Sequence, residues 1–503
     1  MDNALSIIFI TCIIIIIVLM KTTRFRWPEE PPLETAWIPW LGHALTFRRD
    51  PVAFLQAMCS KNGDVFTVQL AGRYVTFVMD PLLYESILAQ GPNYLNYDLV
   101  ATYFLKRLFD VKLPPGYSHA DKAHMNMRYF TGRGLAKLED HMVTNLCLII
   151  QEYPNLAEES GSEWTNVELF KFCYEILLRT GFLTLFCPEM LDCTEVENKM
   201  DLLRQSSEVC NLFFHLDKLL PDILLGALSY REKVQVHRLK SEIQVLLQQN
   251  LGGSWIEDQV EPLAVDVEQQ QRMRLALFWA SQGNLGPAAF WLTLYLLQDR
   301  NALTAVMLEL SAATHVQDGA TLIEVLHNTP VLDSAIEETL RLVAAPFLSR
   351  NVVKDLWLKR DKRSNLLFRR GDRLVLFPFL SPQHDPEVHD YPHTFQYDRF
   401  LRPDGSRRTE FYKRGQHLHL GSLPWGSGNN ACVAKAYATS TIKTFLFFLL
   451  TKFDIELIEP GASPPAFDSH RCGLGVMQPQ HGVNVRLRCI AQERMRVGKQ
   501  IQK

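Results

Sequence analysis

Paired cysteines are missing from this chain. Ten cysteines are scattered along it, and none forms a Cys-x-x-Cys pair. That argues against a structural zinc site, which draws its ligands from such closely spaced pairs. A chain of 503 residues is also far longer than the small secreted domains that disulfides staple. The cysteines read as reduced, mostly buried, small apolar side chains in a cytosolic compartment. An excess of positive charge is missing as well. Lys plus Arg total 52 against 55 for Asp plus Glu, a net charge of −3. The clustered basic surface of a nucleic-acid binder is therefore not expected. There is no internal repeat and no low-complexity segment. With 47% hydrophobic residues the chain can bury a large core, and one large domain is expected.

One long apolar run is present, from Ala4 to Met20, followed by Lys21, Arg24 and Arg26. A cleavable signal peptide would carry its basic residues first, whereas Asp2 stands there instead. The run predicts an uncleaved membrane anchor over residues 1–22, with the following chain on the cytosolic face. Pro28, Pro31 and Pro32 then predict a basic, proline-rich hinge over 23–36. Residues 37–503 form the expected catalytic body.

Within that body, 64–80 alternates β-branched and aromatic residues around Ala71-Gly72 and reads as two strands with a turn. From about 136 to 315 the periodicity is mostly helical. Residues 250–268, with Gly252, Gly253 and Pro262, read as a loop. Short strand-like pieces follow 350, then a helix over about 432–450 and a β-rich tail. The class is mainly α, α+β in the broad sense.

Three stretches carry chemistry. In PWGSGNNACVAKAYA, Gly426 and Gly428 let the chain turn tightly before Cys432, and a helix starts just after it. A helix N-terminus and backbone N–H groups stabilise a thiolate, which suits Cys432 as an iron ligand. In SAIEETLRL, Glu338 and Arg341 share one helix face. In LALFWASQGNLGPAAFWLTLYLL (275–297), Pro287 cannot bond the carbonyl of Gly283, so the helix should kink there. The adjacent Asn284 can donate or accept a hydrogen bond but cannot serve as an acid.

The cysteine loop resembles the Phe-x-x-Gly-x-x-x-Cys-x-Gly motif of the cytochrome P-450 superfamily. Trp425, Gly428 and Cys432 are in place, Trp425 stands for the Phe, and Ala434 stands for the last Gly. The Glu338-x-x-Arg341 pair and Arg399 in FQYDRFL resemble the superfamily's structural triad. The resemblance implies a helical body with small β-sheets around a buried haem b, held by the Cys432 thiolate with Trp425 and Gly428 beside it. DKAHMNMRYF resembles the family's Trp-x-x-x-Arg, which implies Arg128 or the nearby Lys122 as a haem-propionate partner. Arg350 would be a second. In most family monooxygenases the helix over the haem carries Ala-Gly-x-Asp/Glu-Thr for proton delivery; here Gly283 and Asn284 replace the acid and the alcohol.

WASQGNLGPAAFW, ETLRLVAAPF, FQYDRFLRPDGS and GLGVMQPQH resemble the branch that isomerises a lipid endoperoxide. Sterol 12α- and 7α-hydroxylases share Ser-Gln-x-Asn but usually follow it with Thr, where this chain has Leu285. The branch implies conversion of prostaglandin H2 to prostacyclin without dioxygen, NADPH or a reductase, by a monomer on the endoplasmic reticulum membrane. Asn284 would select the endoperoxide oxygen that meets the iron. Trp279, Leu285, Ala288, Val476 and Met477 would line the pocket. The competing expectation is an NADPH-dependent sterol 12α-hydroxylase-type monooxygenase.

Overall fold

The computed structural model describes residues 24–114, 117, 127–152, 164–187, 196–248, 254–263, 265–316, 321–360 and 365–490. Its strands are β1 (Leu33–Glu34), β2 (Val65–Leu70), β3 (Arg73–Val78), β4 (Leu95–Asn96), β5 (Thr165–Glu168), β6 (Leu348–Val352), β7 (Leu356–Lys359), β8 (Asn365–Phe368), β9 (Arg373–Leu376), β10 (Phe411–Lys413), β11 (Gln416–Leu418), β12 (Phe453–Leu457) and β13 (Asn484–Cys489). The principal helices are α1 (Pro51–Asn62), α2 (Asp98–Phe109), α3 (Gly132–Gln151), α4 (Leu169–Phe186), α5 (Val196–Leu225), α6 (Tyr230–Gln248), α7 (Val267–Gln282), α8 (Leu285–Gln298), α9 (Pro330–Val343) and α10 (Lys435–Lys452). Helices dominate, and the strands form one main sheet and three small ones.

The main sheet runs β1-β2-β3-β9-β6-β4. Its β2–β3 hairpin forms where the alternation predicts it. Ala71 and Gly72 both take positive φ, 47° and 80°, the turn that matches the twist of a two-residue hairpin. Gly72 also lies against the Trp40 indole, where any Cβ would clash. At the centre of the body α4 packs against α8, and both are buried on nearly every face, as helices apolar all round must be. Gly286 lets them approach closely, since a Cβ there would meet the Tyr174 backbone at 2.7 Å.

Two features differ from the sequence reading. The stretch 250–268 contains a helix, Trp255–Val260, followed by a short 3-10 turn. Ser254 caps it by accepting from the Glu257 N–H at 3.2 Å, and Trp255, Ile256 and Val260 are buried. A capped apolar turn outweighs the flanking glycines and proline. Secondly, the expected hinge over 23–36 is, where described, fastened to the body. β1 pairs in parallel with β2, and Arg24 lies between Asp372 and Glu30 at 2.5 and 2.8 Å. The anchor expected over 1–22 lies outside the described residues, and among those described no helix is long and apolar enough to cross a membrane.

Candidate functional site

The cysteine loop is shaped by its backbone. Gly426 and Gly428 both adopt left-handed φ, 70° and 64°, which a side chain would resist. The Cys432 N–H donates to the Trp425 carbonyl at 2.8 Å and closes the loop. The final helix starts slightly later than expected, at Lys435. Ala434, its cap residue, donates its N–H to the Cys432 sulfur. Burial pushes the Cys432 thiol up, while that N–H and the Lys435 charge pull it down. Yet Cys432 has exposed surface, as do Ala431 and Val433 beside it. The thiol is crowded by protein and yet keeps accessible surface.

The basic residues separate into different settings. Arg350, on β6, is buried enough to lower its guanidinium pKa. It lies 5.1 Å from the centre of the Tyr97 ring and donates to the Ser349 carbonyl, with no carboxylate partner among the described residues. Leu348, two residues earlier on the same face of β6, reaches the Gly426 region of the cysteine loop. A buried cation without an acid, on the face turned to that loop, fits a haem propionate. An accessible thiol that accepts a backbone N–H fits the iron side. Arg128 is exposed and pairs at 3.7 Å with Asp258. Lys122 lies outside the described residues.

The long helical stretch is broken into α7 and α8 at Gly283-Asn284. The Gly283 N–H still bonds Trp279 and Ala288 resumes with Asn284, at 2.9 and 3.1 Å, but Pro287 has no N–H for the Gly283 carbonyl. Asn284 does not cap α8 with its side chain. Its Oδ1 instead accepts the Val476 N–H at 2.8 Å. Gly475 makes this possible: a Cβ there would fall 2.2 Å from that oxygen. The 473–477 turn is in turn bridged to the chain after α9, Ala344 to Val476 and Pro346 to Gly473. Leu285 is half-buried beside Asn284, whereas Ala288 is core. Met477 is also core, and its carbonyl accepts from the Trp291 indole at 2.8 Å.

Trp279 points to a residue the sequence did not single out. Its indole donates to Asp217 at 3.1 Å. Asp217 is buried and also accepts from Tyr174, Gln478 and Arg471, at 3.0, 2.8 and 3.2 Å. One of three aspartates in a 30-residue helix, Asp217 carries no motif, so only the tertiary contacts reveal it. With both oxygens engaged, one by a guanidinium, Asp217 is a brace and not a proton relay. Elsewhere, Glu338 accepts from Arg341 Nε at 2.7 Å and from Arg399 Nε at 2.9 Å, with Glu338 and Arg341 fully buried.

The chain matches the family model "Cytochrome P450" over residues 31–485. It is 42% identical to "Prostacyclin synthase" of Bos taurus over 478 residues, covering 92% of this chain and 95% of the relative. The Homo sapiens protein of the same name gives the same identity and coverage. It is 39% identical to "7-alpha-hydroxycholest-4-en-3-one 12-alpha-hydroxylase" of Oryctolagus cuniculus over 488 residues, 92% of this chain and 94% of the relative. Family model and relatives span nearly the whole chain, and the cysteine loop has the form a haem thiolate requires: the chain belongs to the cytochrome P450 family of enzymes.

Proposed function

We propose that this enzyme isomerises prostaglandin H2 to prostacyclin at a haem b held by Cys432. The observation that carries the reading is the Gly283-Asn284-Leu285 triplet at the helix break, where the sterol hydroxylases usually have Thr after the Asn. Where a family monooxygenase keeps an acid and an alcohol to deliver protons, this chain has a helix gap and a carboxamide. An endoperoxide substrate already contains its oxygen, so neither dioxygen, NADPH nor a reductase is needed. Similarity to the prostacyclin synthases supports the same reading.

The haem supplies homolytic cleavage of the endoperoxide O–O bond. Cys432 donates electron density that favours this cleavage, and the Ala434 N–H moderates the sulfur charge. Arg350 holds a propionate. Asn284 spends its oxygen on Val476, which orients its Nδ2 donor for one endoperoxide oxygen and so selects which of the two meets the metal. The proton lost at ring closure passes to an acceptor other than the Asn284 carboxamide, which is not a base. The enzyme works as a monomer, anchored by residues 1–22 in the endoplasmic reticulum membrane with its body on the cytosolic side.

The test is to incubate purified enzyme with prostaglandin H2, without NADPH or a reductase, and to assay the hydrolysis product of prostacyclin. The isomerase forms it. Absence of that product, with oxidation of a sterol once NADPH and reductase are added, would establish a 12α-hydroxylase-type monooxygenase instead. Cys432→Ala should lose the thiolate-type carbonyl-complex spectrum; a variant that keeps the spectrum refutes Cys432 as the ligand.

A further inference from the structure

Deeply buried arginines in this protein have carboxylates. Arg24, Arg179, Arg274, Arg341, Arg399 and Arg471 each lie within 3.2 Å of one. Besides Arg350, Arg373 breaks the pattern. It opens β9, its Nη2 is buried and has no hydrogen-bond partner, and its Nε reaches only the Asn351 side-chain oxygen at 3.4 Å. Burial, and then the charge of another cation, Arg73, lower the Arg373 guanidinium pKa. The two guanidiniums lie against one ring, Arg73 at 4.4 Å and Arg373 at 5.2 Å from the centre of Tyr103. Two like charges gathered on one phenol with no acid among the described residues form an unfavourable arrangement unless an anion joins them.

The propionate partner and this pair are distinct. Arg350 and Asn351 are successive residues of β6, so they point to opposite faces of the sheet. Asn351 pairs with Arg373 across β6–β9, so Arg373 faces away from the side on which Leu348 reaches the cysteine loop. Its own face is the one bearing Val75, Phe77 and Phe347. Phe347 packs 4.9 Å from Phe377 and 6.1 Å from Phe77, and Gly473 sits against it. Through the 473–477 turn, that apolar face is continuous with Asn284. Helix α2 lies beside it: Tyr103 meets the arginines, and the Phe109 ring is tilted against Trp279 of α7 at 5.8 Å.

We propose that Arg373, with Arg73 and Tyr103, forms a binding site for the terminal carboxylate of a fatty-acid-type ligand. The identity of the natural ligand rests on the function proposed above; the site itself does not. A planar guanidinium with an unused Nη2 matches a carboxylate oxygen, and Tyr103 can add a hydroxyl donor. A sterol, which lacks an acid in this position, would leave both cations unpaired.

The experiment is calorimetric titration of the haem-loaded enzyme with arachidonic acid and with its methyl ester, each below its micelle threshold. The site requires a preference for the acid of roughly tenfold, the worth of one charge-assisted hydrogen bond. Arg373→Gln and Arg73→Gln should each bring acid and ester close to equal by weakening the acid alone, and Arg373→Lys should keep a fraction of the preference. Arg73 is exposed, so its variant tests the site even if the Arg373 variant folds poorly. Equal binding of acid and ester by the native enzyme overturns the proposal, as does a preference that survives both Gln variants. Turnover of prostaglandin H2 is measured separately. No turnover with an intact acid preference sinks the isomerase and leaves the site standing; turnover without that preference does the reverse.

Discussion

At Asn284 a single side chain has two tasks that substitution can separate. The oxygen positions the 473–477 turn, and in the proposed function the nitrogen is the donor to substrate. Asn284→Asp keeps an acceptor for Val476 and removes the amide donor. Its haem spectrum should remain native while kcat/KM for prostaglandin H2 falls about 10- to 100-fold, the usual cost of one transition-state hydrogen bond. Unchanged kcat/KM would show that the donor is idle. The protonation of His389 gives a second effect at this scale. Burial, the Arg341 charge and other nearby guanidiniums hold its pKa down at about 3, and its ring meets the Gly421 carbonyl at 2.9 Å. In the unfolded chain it protonates near its ordinary value of 6.5. The unfolded state therefore binds the extra proton, and stability is lost as pH falls from 6.5 towards 3. Between pH 7.5 and 5.5 this one residue should cost about 1.4 kcal/mol. Urea unfolding at the two pH values, with and without His389→Gln, measures the share that belongs to it.

Among the elements, the split between α7 and α8 was legible because its cause is local: a proline whose missing donor falls opposite Gly283. The β2–β3 hairpin was legible for the same reason, with its turn residues and alternation lying side by side in sequence. The Glu338, Arg341 and Arg399 cluster could be anticipated only from its resemblance to a motif, since Arg399 lies far along the chain from its partner. The Trp255–Val260 helix was hidden behind glycines and a proline that its serine cap overrides. Asp217 was illegible, because its partners come from α4, α7 and the segment around 471–478 and no periodicity links them. Its weight can be measured. Asp217→Ala strands the Arg471 guanidinium, which is buried and has Asp217 as its carboxylate. A loss of about 3–5 kcal/mol in denaturant unfolding is expected, the penalty of an orphaned buried charge. A loss below about 1 kcal/mol, the range of a solvated pair, would mean that water reaches Arg471.

For the molecule as a whole, the chemistry of the cysteine loop and the helix break could be anticipated from short motifs, while the carboxylate site at Arg73 and Arg373 could not. Those residues are 300 apart in number and meet only because β3 and β9 lie side by side. The N-terminal segment behaves alike. A run of prolines suggested a stiff hinge, but Arg24 reaches across the fold to Asp372. Burial raises the Asp372 carboxyl and the Arg24 guanidinium holds it down against that. Arg24→Ala should therefore cost about 3 kcal/mol of unfolding free energy, with Asp372→Asn in the same background recovering some of it. Full stability in the single variant would show that the latch carries no load.

That latch has a mechanical consequence. Tension applied at the front of the chain cannot reach the helical body directly. It must first break the ion pairs that Arg24 makes and then peel a short strand from the edge of the sheet that presents Arg73 and Arg373. In a single-molecule pulling experiment the enzyme would yield at that edge first, so its lipid-acid binding would fail under force before its hold on the haem did.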